Sequence, residues 1–227
     1  MSRFNLFKLA GILLVLTSLN LYGQKKEITS KEYSDIFQRI ERETNKLAFR
    51  LNTERAFFDP KGTNIRRTEK GFSENLPDGS LRIYREITDY DPNRTRVLES
   101  IKIASIQYQR EDNKNWEITS EGPKAEKSEP EAENKYRKYY LTKNVRYGKK
   151  TVDILEFEEE FVSGETDPAN GKVHETTIFQ SQKWYSENGL WLRFELVKER
   201  LNPRAAVILS LSDYEYDPTI KIEKPIK

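Results

Sequence analysis

From Leu47 onward the chain is cut at short intervals by turn-forming clusters. They are Asp59-Pro60-Lys61-Gly62, Leu76-Pro77-Asp78-Gly79, Asp89 to Asn93, Glu111 to Asn115, Gly148-Lys149-Lys150, Glu187-Asn188-Gly189 and Leu201 to Arg204. Proline and glycine interrupt helices and open turns, and Asn or Asp tolerates the left-handed backbone that tight turns need. The segments between these clusters alternate in the manner of strands. In "SLRIYREIT", Leu81, Ile83 and Ile87 share one parity while Arg82, Tyr84 and Glu86 take the other. Alternation of period two puts one set on each face of a pleated sheet. The Asn188-Gly189 pair marks a two-residue hairpin. Beyond it Leu190, Leu192, Phe194 and Leu196 are expected on one face, with Trp191, Arg193 and Glu195 on the other.

One helix precedes this series. Thr29-Ser30-Lys31-Glu32 fits a capping box, in which the Thr29 hydroxyl and the Glu32 carboxylate each satisfy a backbone N–H of the first turn. Tyr33, Ile36, Phe37, Ile40 and Leu47 follow at helical spacing, so a helix is expected over about 29–46 with its apolar stripe against the sheet. Residues 122–134, "GPKAEKSEPEAEN", hold two prolines, one glycine and no large apolar side chain. They read as a long charged loop inside one sheet.

The first residues read as an export leader. Arg3 and Lys8 precede an apolar run from Leu9 to Tyr22, which is 14 residues long. A bilayer span takes about 20, and polar sequence follows at once, so residues 1–23 are expected to be a cleaved signal peptide. Residues 24–227 then form a single β domain. With the leader removed, no integral membrane span is expected. The chain has no cysteine, which rules out acylation as a bacterial lipoprotein, disulfides, thiol nucleophiles and thiolate metal sites.

The leader contains two of the 39 basic residues and none of the 37 acidic ones, so the remainder has 37 of each. Proteins that track phosphate backbones carry a basic excess, and nucleic acid is therefore not an expected partner. Charged residues make up 33% and aromatic residues 11%. That mixture suits an antiparallel sheet with one wet and one dry face.

No catalytic signature stands out. His174 is the only histidine and lacks partners at metal-ligand spacing. Glu156, Glu158, Glu159 and Glu160 make an acidic run, but a pleat sends Glu158 and Glu160 one way and Glu159 the other. Asp167 to Gly171 has the composition of a calcium loop without its remaining ligands. Neither a nucleophile elbow nor a phosphate-binding glycine loop is present. The chain reads as non-catalytic, with no cofactor or metal.

The order of leader, amphipathic helix and long meander with a charged loop midway resembles the LolA-like superfamily of outer-membrane lipoprotein-sorting and lipoprotein-localisation proteins. The hairpin "WYSENGLWLR" and the ending "DYEYDPTIKIEKPI" are similar to the close of exported bacterial members, and "YGKKTVDILEF" looks like another of their strands. The resemblance covers most of residues 29–226 and rests on turn and strand patterns. It implies a mostly β (α+β) fold, a strongly curved antiparallel half-barrel of about 10–11 strands with the helix on its concave face. It also implies an apolar cavity for lipid or lipoprotein acyl chains, and residence in the periplasm or beyond. Phe37, Ile40, Leu192, Phe194 and Leu196 are the expected lining, unless they are ordinary core. A second reading keeps the fold without a cavity, as an envelope module that binds another protein or a glycan. A third, a hydrolase built on the Glu156 to Glu160 strand, has the least in its favour. After Pro218, Ile220 and Ile222 are expected to re-pair or to pack along a sheet edge.

Overall fold

The computed structural model describes residues 23–59, 61–120, 134–166, 173–201 and 204–225. The expected leader lies outside them apart from Gly23, as do Asp167 to Gly171 and all of the charged stretch at 122–134 except Asn134. The same holds for the side chain of His174.

Twelve strands and one helix make up the described residues. A short β1 (Lys25–Ile28) leads into α1 (Ser30–Thr44). Then come β2 (Phe49–Phe58), β3 (Ile65–Asn75), β4 (Leu81–Tyr90), β5 (Asn93–Ile103), β6 (Ile106–Glu111) and β7 (Glu117–Ser120). The second run is β8 (Asn134–Tyr147), β9 (Lys150–Thr166), β10 (Val173–Glu187), β11 (Leu190–Leu201) and β12 (Arg204–Tyr216). The fold is mostly β, as expected, and the strand count exceeds the expected 10–11, because a turn at Ala104–Ser105 divides β5 from β6 and because β1 adds a short edge strand. Four residues are too few to display an alternation.

All twelve strands belong to one antiparallel sheet, in the order β1-β8-β9-β10-β11-β12-β2-β3-β4-β5-β6-β7, which is not closed into a barrel. Two hairpin meanders, β2 to β7 and β8 to β12, are joined side by side through β12 and β2. Twisted open sheets wider than about ten strands curl.

The turns follow their residues. Asn188 and Gly189 both have positive φ, at 53° and 79°, the requirement of a tight hairpin turn. Asp59 caps its own turn by accepting from the Thr63 N–H at 2.9 Å. These bonds hold the Asp59 carboxyl down at about 2. At α1 the capping box forms in full. The Glu32 N–H donates to the Thr29 hydroxyl at 3.2 Å, and the Thr29 N–H donates to the Glu32 carboxylate at 2.8 Å. The helix stops at Thr44, short of the expected end, and Leu47 is exposed.

Two apolar clusters occupy opposite faces. The larger lies under α1, where Ile28, Ile40, Leu155 and Trp191 are buried and Tyr33, Ile36, Phe37, Trp184 and Tyr214 pack around them. The smaller, on the far face, joins Val145, Val152, Ile154 and Tyr185 at the ends of the β8–β9 and β10–β11 hairpins. Beyond Tyr216 the described residues make no strand pair. Asp217 donates its N–H to the Ala48 carbonyl at 3.2 Å and caps a turn at Thr219. The expected re-pairing of Ile220 and Ile222 does not occur, because Pro218 lacks the ladder donor and the turn leads the chain away.

Candidate functional site

The helix face is the place where this sheet gathers aromatic side chains. Phe37 descends from α1 onto two tryptophans, edge-on to Trp184 at 5.0 Å and tilted against Trp191 at 5.2 Å. The two indoles are 5.2 Å apart, and Phe194 lies 4.2 Å from Trp184. At one end of the helix Tyr33 sits on Tyr139 at 4.9 Å, and burial pushes its hydroxyl up to about 12. The indole N–H of Trp184 is buried and has no hydrogen-bond partner among the described residues.

A β-bulge arranges this cluster. Between Tyr185 and Ser186 the β10–β11 register skips a residue, so Ser186 faces Trp191 while Tyr185 faces Arg193. One extra residue on a bulged strand reverses the parity beyond it. Trp191 therefore shares the helix face with Phe194, contrary to the strict alternation expected of this strand. Leu192 goes to the far face, against the cluster of Val152, Ile154 and Tyr185. The β11–β12 pairing begins only at Arg193, so the backbone of Trp191 is bonded by side chains instead of by β12. Its N–H donates to the hydroxyl of Thr44 at 3.1 Å, and its carbonyl accepts from the Tyr216 hydroxyl at 2.6 Å.

The five lining residues expected from sequence thus part company. Phe37 and Ile40 are core between helix and sheet. Phe194 and Leu196 lie on the helix face, half-buried, with Leu196 opposite Gln182 and Ser210. Leu192 is separated from the other four by the thickness of the sheet.

The far face carries the acidic run. Lys25 reaches Glu156 at 2.9 Å and Glu158 at 3.2 Å, and Lys183 reaches Glu156 at 3.5 Å. Glu159 points to the helix face and pairs with Arg137 at 2.9 Å. The pleat splits the carboxylates as expected, and these three are held by cations. Nearby, the buried Tyr185 donates to Glu195 at 2.9 Å. Burial raises the pKa of Glu195, opposed by that bond and by Arg193.

Beyond the reach of α1, the helix face changes character. Phe194 pairs with Ser212, Ser212 with Thr53, Thr53 with Gly71, and Gly71 with Arg85. Small side chains thus follow the aromatic ones across the sheet. A depression of about 120 Å³ opens here, lined by Leu51, Thr53, Arg55, Glu69, Ser73 and Arg85 around Gly71. Gly71 is required by the backbone. A Cβ there would stand 1.9 Å from the Tyr84 carbonyl oxygen. A second, more open depression of about 360 Å³ lies behind the same glycine on the opposite face of the sheet, lined by Asn52, Glu54, Glu86, Leu211 and Asp213.

No family model, curated protein or solved structure matches this chain. The site is therefore described by its own geometry. Of the residues named from sequence, Phe37, Ile40, Phe194 and Leu196 share the helix face, while Trp184, Trp191 and the Gly71 depression were not named. The face of Trp191 was concealed by the bulge, which no local residue type announces. Gly71, a lone glycine inside a strand pattern, was the one available signal of a close backbone approach.

Proposed function

We propose that this protein is a non-catalytic binder or carrier of an amphiphilic molecule, such as a lipid or an acylated partner, in the bacterial envelope. One observation carries the reading. The single described helix packs on the β8–β12 part of its face and leaves Phe194 and Leu196 half-buried, on the same face as the depression around Gly71. Apolar side chains next to an open, partly polar depression suit a ligand with an apolar chain and a polar end. The sequence resemblance to LolA-like proteins implies the same class of ligand and an exported location.

The test is mass spectrometry of organic extracts from protein exported through a bacterial periplasm, paired with tryptophan fluorescence during lipid titration. The expected result is a co-purifying lipid and a change in emission, because Trp184 stacks on Phe194. A clean extract with unchanged emission sinks the proposal.

A second reading, an envelope module that binds another protein, is favoured by β7, an edge strand among the described residues. Ile118 is 62% exposed there, and Ile106 on the neighbouring strand is 38% exposed. Edge strands offer unpaired backbone groups to a partner strand. Recovery of one stoichiometric partner from envelope extracts, abolished by Ile118→Lys, would favour it over lipid binding.

A further inference from the structure

We infer that the Gly71 depression is an anion subsite, and that the amphiphile carries a negatively charged head there with its chain directed along Thr53 and Ser212 toward Phe194. This rests on the binder reading above and names the ligand class.

The contrast among the arginines of the sheet points to it. Arg50 is matched by Glu74 on the adjacent strand, Arg67 by Asp89, Arg110 by Glu99 and Arg193 by Asp213. Arg85 is built differently. Its cross-strand neighbours are Gly71 and Leu98, and among the described residues it makes no ion pair or side-chain hydrogen bond. Gly71 supplies no side chain, so the space between β2 and β4 on this face stays open. Arg55 enters the same space from β2. Its Nε donates to the Ser210 hydroxyl at 3.3 Å, and its nearest contact with the Glu69 carboxylate is 3.8 Å. That separation is too long for a hydrogen bond, so Arg55 retains donors. Two guanidiniums share the depression with one carboxylate. Guanidinium forks match the oxygens of carboxylate and phosphate. The Thr53 hydroxyl, already engaged with Ser212 at 2.9 Å, adds a polar floor.

The span fits a chain as well as a head. Gly71 and Phe194 stand three strand spacings apart along one row, roughly 14 Å at about 4.8 Å each. The row between them holds the small side chains of Thr53 and Ser212; Ser212 is 3% exposed, so a chain laid across the row must part the neighbours that cover it. At the far end Phe194 and Leu196 offer half-buried apolar surface.

Calorimetric titration of the exported protein with dodecyl phosphate, dodecanol and methyl phosphate separates head from chain. The expected order is dodecyl phosphate tightest, with each partial ligand at least about tenfold weaker, the scale of losing one charge-assisted contact. Arg85→Gln, an exposed position, should weaken dodecyl phosphate about tenfold and leave dodecanol unchanged, and Arg85→Lys should fall between. Equal affinity for dodecyl phosphate and dodecanol, unaffected by Arg85→Gln, overturns the anion subsite and leaves the binder reading standing. Methyl phosphate as tight as dodecyl phosphate overturns the placement of the chain. Failure of both dodecyl compounds to bind overturns the binder reading itself.

Discussion

Trp191 is held from three sides, and each contact comes from a different part of the chain. Its ring is buried under α1, its N–H is taken by Thr44 and its carbonyl by Tyr216. Thr44→Val keeps the shape of the side chain and removes the acceptor. It should cost about 1–3 kcal/mol, the penalty of leaving a buried donor without a partner, as read from urea melts. Trp191→Ala should cost about 3–5 kcal/mol through the cavity it leaves. Glu195 gives a test of a different kind. Its folded pKa lies above the ordinary 4.5 because of burial. The folded state then holds the proton more tightly than the unfolded state. This group's contribution is greatest below 4.5 and is lost as pH rises through its raised folded value. Glu195→Gln can still accept from Tyr185 and has no charge to bury. Its stability should therefore fall less than the wild type's as pH rises from acid to neutral. Parallel pH slopes for the two proteins would show that Glu195 is solvated.

At the scale of the element, the end of the helix at Thr44 fell short of the expected 46, while its start was legible to the residue, because a capping box is a local signal. The strands were legible as strands for the same reason. The parity of β11 was not, because the bulge at Tyr185/Ser186 depends on how β10 and β11 pair and on what receives the freed backbone groups of Trp191. That reversal is why Leu192, grouped by sequence with Phe194, lies on the opposite face. Gly71 is the element-scale counterpart in β3. Gly71→Ala should lower the melting temperature, since a Cβ at 1.9 Å from the Tyr84 carbonyl forces β3 and β4 apart. Overpacking of this kind costs typically 1–3 kcal/mol. An unchanged melt would mean that the two strands separate freely at this point.

Over the whole molecule, stability turns on the seam between the meanders. β2 and β12 are central strands, and Thr53 and Ser212, bonded across the seam, are 159 residues apart in sequence. Ser212 is buried and lies inside the ladder. Ser212→Pro removes a ladder donor from a central strand and should abolish the cooperative melt by circular dichroism. A retained single transition would show that the meanders fold independently of the seam.

By itself the sequence determined the sheet-dominated class, the position of the helix and nearly every turn. These depend on backbone preference and on periodicity within a few residues. Tertiary structure alone decided the strand order, the face on which each residue of β11 sits, the addition of β1 at an edge and the opening around Gly71. Each of these is a relation between segments far apart in the chain. It is set by which backbone groups remain to be paired and which side chains remain to be covered once the strands have met.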